Sequence, residues 1–95
     1  MISDRKALSV RIEGADCVIT FEGGDAPSVG HAALLLDDRG RLVGVDLGGG
    51  GLDRVAVMIG AHEDVASQRD ANVSVDIGTL RIHSGAGLVI RSRSG

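Results

Sequence analysis

The side chains able to do chemistry are few. His31, His62 and His83 are the three imidazoles of a 95-residue chain, and Cys17 is its one thiol. His62-Glu63-Asp64 sets nitrogen and oxygen donors in succession, the donor types that Zn²⁺ and related ions accept. Successive residues of a strand or helix do not face one point, however. A metal site would therefore need His31, His62 and His83 to be gathered by the fold, and neither a metal nor a cofactor is expected. Asp37-Asp38, Asp46 and Asp53 form an acidic group, and paired carboxylates can exchange protons or hold a hard cation. Aspartate is also a favoured turn residue, and the calcium-loop spacing is absent.

The glycines of residues 48–51, followed by Leu52 and Asp53, raise the question of a phosphate cradle. The dinucleotide fingerprint fails, because Asp53 or Arg54 occupies the last glycine position, and GxxxxGK[ST] does not occur. The stretch reads as a flexible connector. No G-x-S-x-G serine motif is present, and Cys17 has no evident histidine partner. Cys17 shares its parity with Ile19 and Phe21, which makes it a buried structural thiol. His83 shares parity with Arg81 and belongs to a wet face, whereas His31 opens an apolar strand. No catalytic residue can be assigned, and the balance leans away from an enzyme.

The elements that must position these groups are strands, since the dominant apolar period is two. Leu8, Val10 and Ile12 alternate with polar residues, and Cys17, Ile19 and Phe21 form the inward set of a second strand. Residues 31–47 read as a hairpin turned by Asp37-Asp38-Arg39-Gly40. With its return strand Leu42-Val43-Gly44-Val45-Asp46-Leu47 it has the form Asp-x-x-Gly-x-Leu-Val-Gly-Val-Asp-Leu, which resembles a hairpin found in small bacterial domains of unknown function. That likeness covers about 15 residues and implies no site residue. Val55, Val57 and Ile59 share one face, with Ala56 and Met58 on the other. At most one short helix is expected, near residues 61–69. Val73, Val75 and Ile77 then alternate on odd positions and Leu80 and Ile82 on even ones, so a tight turn or bulge must fall at Gly78-Thr79.

Composition narrows the function classes. One Phe, no Tyr and no Trp leave no platform on which single-stranded bases could stack. A net charge of −3 disfavours duplex binding, so no nucleic acid is expected. The charge is uneven: residues 1–76 sum to −6, and residues 77–95 to +3. No apolar run approaches the roughly 20 residues of a membrane helix. Ser3, Asp4, Arg5 and Lys6 interrupt any signal-peptide layout. One cysteine suits a reducing compartment, so a cytoplasmic location without membrane attachment is expected.

Together these features predict one all-β domain over residues 1–95, a small antiparallel sandwich or partly open barrel of about eight short strands. A flexible basic tail is expected at 91–95. Residues 32–36 and 55–59 are apolar on both faces, more than a lone antiparallel domain usually covers. The expected function is therefore a non-enzymatic interaction or assembly module, self-associating as a homo-oligomer. Leu34, Leu36, Val55, Val57 and Ile59 would be its interface. A closed barrel whose loops cover the second face would also accommodate them. One alternative is a small-ligand or metal-binding β-barrel, including a small enzyme, that uses His31, Asp46, His62 and His83. Another is an acidic inhibitor or immunity-type protein that binds a basic protein partner.

Overall fold

The computed structural model describes residues 2–23, 26, 28–48 and 54–88. Its seven strands are β1 (Ile2–Glu13), β2 (Asp16–Phe21), β3 (His31–Leu36), β4 (Leu42–Gly48), β5 (Arg54–Met58), β6 (Ser67–Asp76) and β7 (Thr79–Ile82). They close into a barrel in the order β1-β2-β7-β6-β3-β4-β5. The all-β expectation holds, and the barrel is closed rather than partly open. Among the described residues there are seven strands, not eight. Leu88 follows a 3-10 turn at Gly85–Gly87 instead of opening a strand. The rest of the expected last strand and the basic tail at 91–95 lie outside the described residues.

Closure depends on the length of β1. Its first residues run parallel to β5, from Ile2↔Arg54 to Lys6↔Met58, and its remainder pairs antiparallel with β2. The seam is the one departure from the expected antiparallel pairing. Between its two halves β1 carries a bulge: Ala7 faces Phe21 and Ser9 faces Thr20, so Leu8 is the extra residue. Leu8 is thereby turned outward and is 56% exposed, while Ala7 and Val10 join the interior. Simple alternation had placed Leu8 with Val10, and the bulge corrects it. Ile12 pairs with Cys17 beside the turn into β2 and is 50% exposed.

The interior is aliphatic apart from Phe21. Cys17, Ile19 and Phe21 of β2 enter it as the alternation predicts, against Leu34, Val45, Leu80 and Ile82. Each such buried side chain contributes about 1.5–3 kcal/mol of burial against the entropy of ordering the chain.

A second apolar set lies on the outer face of β3, β4 and β5, formed by Leu35, Val43, Ala56 and Met58. The connection from β5 to β6 crosses over it. Ile59 and Gly60 N–H groups donate to the Val43 carbonyl at 2.7 and 2.9 Å, and Ala66 N–H donates to Leu36 at 2.7 Å. Val65 packs on the apolar set. The predicted helix near 61–69 contracts to a 3-10 turn at His62–Asp64, and Ser67 already begins β6. Ala61, Val65 and Ala66 offer too narrow an apolar stripe to support a longer helix, and short helices nucleate poorly. Gly44 lies under this cover. A Cβ there would stand 2.6 Å from Met58 Sδ and 2.9 Å from the Val57 carbonyl.

The β3–β4 hairpin turns where predicted, with Gly40 at φ 76°. Asp37, 4% exposed, organises it. Its Oδ1 accepts the Arg39 and Arg41 N–H groups at 2.9 and 2.8 Å, and its Oδ2 accepts Arg41 Nε at 2.8 Å. Burial acts to raise the Asp37 carboxyl. The two backbone N–H groups and the Arg41 guanidinium outweigh it and hold the carboxyl below its ordinary range.

Candidate functional site

The outer face of β1, β2, β7 and β6 carries the densest set of functional groups among the described residues. Strand register arranges it in rows. Arg11, Val18, Arg81 and Ser74 stand side by side across the four strands. In the next row Glu13 faces Asp16, and His83 follows β7 with its N–H donating to the Asn72 carbonyl at 2.9 Å. Val18 points outward yet is only 1% exposed. Its register neighbours Arg11 and Arg81 have long stems suited to cover it while their charged ends stay wet.

Arg81 ties the rows together. Its Nη1 donates to Asp16 Oδ2 at 3.0 Å and its Nη2 to Glu13 Oε1 at 2.9 Å, while Arg11 Nε donates to Glu13 Oε2 at 2.5 Å. Asp16 Oδ1 accepts the Ser84 N–H at 3.1 Å. Ser84 is the one described non-glycine residue with positive φ, at 59°. That conformation costs a residue with a Cβ some backbone strain. Hydrogen bonds from Arg11 and then Arg81 hold the Glu13 carboxyl below its usual range. The Ser84 N–H, followed by Arg81, does the same for Asp16. The two carboxylates in turn raise Arg81, Asp16 foremost.

Ser74 and His83 complete the cluster. Ser74 Oγ lies 2.6 Å from His83 Nε2, and His83 Nδ1 lies 3.8 Å from Asp16 Oδ2. With the ring proton on Nδ1, the Ser74 hydroxyl donates to Nε2 and the Nδ1–H points toward Asp16. The side chains come from β2, β6 and the turn after β7, so a serine, an imidazole and a carboxylate meet here only through strand register.

The three histidines are not gathered. His31 pairs with Asn72, on the far side of Asn72 from His83. One intervening strand separates the two positions. His62 belongs to the opposite wall, where its Nε2 lies 2.7 Å from Asp4 Oδ1. Among the described residues no group of three or more His, Cys, Asp or Glu could hold a metal ion. Of the ligand-binding candidates, Asp46 and His62 do converge. With Arg54 and Gln68 they rim a cleft of about 240 Å³ floored by Leu35, Ala56 and Val65. Asp46 is already engaged there by Arg54 Nη2 and by the Gly48 N–H at 2.8 Å. Asp38, Glu63 and Asp64 line a separate cleft with Asp37 and Arg41. Asp53 and most of the glycine connector lie outside the described residues.

The proposed interface residues are inside. Leu34, Leu36, Val57 and Ile59 fill the barrel interior of a single chain, and Val55 packs against the same core. They are therefore unavailable to cover a second copy of the folded chain. Their strands are apolar on both faces because one face fills the barrel and the other lies under residues 60–66, with Val65 packed on it. Cys17 is fully enclosed, and burial pushes its thiol up, away from the reactive thiolate.

Sequence reasoning reached His83 as an exposed residue and missed Ser74 and Asp16. Ser74 lies on the polar parity of β6 and Asp16 reads as a turn residue, so neither is distinguishable without the register. No protein-family model matches the chain, and no curated protein and no solved structure matches it.

Proposed function

We propose that the chain is an interaction or assembly module that works as a homo-oligomer through apolar side chains on the outside of the barrel. The observation that carries this reading is the exposure of two large aliphatic residues at one end of β2. Leu8 bulges from β1 beside the Phe21–Thr20 step, and Ile77 is 82% exposed in the turn whose Gly78 carbonyl accepts the Phe21 N–H at 3.0 Å. Ile12 is half exposed as well, but it stands beside the turn into β2, at the opposite end of that strand. A second copy is the occupant we favour, because closed symmetric self-association is the commonest assembly of soluble chains. The interface thereby moves from β3 and β5 to β1 and the β6–β7 turn.

Sedimentation velocity at micromolar concentration tests the reading. A species larger than 9.7 kDa is expected, reverting to 9.7 kDa in the Leu8→Glu, Ile77→Glu double variant with an unchanged circular dichroism spectrum. A native chain that sediments only at 9.7 kDa overturns it. A second reading, a small-ligand barrel, rests on the cleft shared by Asp46 and His62. At about 240 Å³ the cleft is smaller than a typical ligand pocket, which begins near ~300 Å³, and Asp46, Arg54 and His62 on its rim are already paired.

A further inference from the structure

We propose that Ser74 is a nucleophile, with His83 as its general base and Asp16 orienting the imidazole, and that it accepts the acyl group of small, unhindered carboxylic esters. The proposal goes beyond the assembly reading and does not depend on it. Ser74 Oγ stands 2.6 Å from His83 Nε2, within the reach a base needs to take the hydroxyl proton. Asp16 Oδ2 stands 3.8 Å from Nδ1. That is longer than a hydrogen bond, and such contacts are commonly loose before substrate tightens a site.

Asp16 is fixed from two other directions. The Ser84 N–H holds Oδ1 at 3.1 Å and Arg81 Nη1 holds Oδ2 at 3.0 Å. The left-handed backbone of Ser84 belongs to the turn that makes the first of these contacts. Arg81 stands opposite Ser74 in the register and is also tied to Glu13. It acts as a positioning residue for Asp16. Ser74 and His83 are both exposed and stand on the outer wall rather than in an enclosed cavity, which is the reason for choosing unhindered esters.

In the reaction Ser74 Oγ attacks the ester carbonyl carbon and its proton passes to His83 Nε2. The bond to the leaving oxygen breaks, and the alkoxide departs as an alcohol with the proton from Nε2. Water then attacks the acyl-serine in the same manner, with Nε2 again taking and returning the proton. A carboxylic acid leaves and the Ser74 hydroxyl is restored.

The test is covalent capture by a small alkyl fluorophosphonate. A phosphorus–oxygen bond forms to Ser74, fluoride leaves, and the serine proton passes through His83 to solvent. Intact mass and peptide mapping of the full chain should show one adduct, on Ser74. Ser74→Ala should take none. His83→Gln should react about 10²- to 10⁴-fold more slowly, the range of general-base assistance, and Asp16→Asn should fall between His83→Gln and the native rate. No adduct on Ser74 in the native chain overturns the proposal. So does an adduct that forms at the native rate in a folded His83→Gln variant. Either failure leaves the sedimentation test of assembly unaffected.

Discussion

On the β3–β4–β5 side of the barrel the outer wall is apolar, and the chain lays residues 60–66, Val65 foremost, over Leu35, Val43, Ala56 and Met58. On the β1–β2–β7–β6 side the apolar outward residues are scattered: Leu8 and Ile12 are exposed, and Val18 is enclosed among polar neighbours. There Arg11 and Arg81 lie beside it in the register and send their charged ends to Glu13 and Asp16. A continuous apolar face needs backbone laid over it, whereas an isolated one can be shielded by the stems of paired arginines. The first wall is locked by burial. The second keeps its functional groups in water, which is why the reactive serine and histidine are found on it.

The sharpest way to break this comparison is to charge the covered wall. Val43→Asp would bury a carboxylate among Leu35, Ala56, Met58 and Val65. We expect a loss of about 4 kcal/mol or more, read as a collapse of the urea midpoint. An ordinary midpoint would mean that the cover opens at little cost. Gly44→Ala should cost about 1–3 kcal/mol by overpacking against Met58 and the Val57 carbonyl. Val65→Ser should cost about 1 kcal/mol and speed hydrogen exchange at the Ala66 amide more than in the interior strands.

The polar wall should respond less. Arg81→Met keeps a stem over Val18 and removes both ion pairs, so its midpoint should fall by less than that of Val65→Ser. Arg81→Ala should fall further than Arg81→Met. Equal effects of the two would show that covering Val18 contributes nothing. The smallest effect should appear on acidification. Glu13, Asp16 and Asp37 all have lowered carboxyl values in the fold. Their contribution is complete above the unfolded values near ~4 and is lost as pH falls through the lower folded values. The urea midpoint should drop over that interval, and drop less steeply in a Glu13→Gln, Asp16→Asn variant.

Much of the barrel was legible in advance because alternation reports which face of a strand is buried. Cys17, Ile19 and Phe21, the turn at Asp37–Gly40, and the parity switch at Gly78 follow from that period and from turn chemistry. Leu8 was misplaced because one bulged residue inverts parity, and nothing in its composition announces it. The expected interface residues lie in or against the core of one chain for a related reason. Two-sided apolarity establishes that both faces of β3 and β5 are covered, but it does not say by what. Ser74 and Asp16 escaped notice because each is ordinary in its local context.

The order of apolar and polar residues, by itself, determined that this chain is a small all-β domain with an aliphatic interior, since burial must follow the period of the backbone. Only the tertiary structure decided that the long first strand closes the barrel in parallel against β5. It alone decided that the second apolar face is covered by the chain's own crossing segment, and that Ser74, His83 and Asp16 stand together. These are facts of register between strands distant in sequence. Shifting one strand by a residue leaves its composition intact and changes every neighbour that it meets.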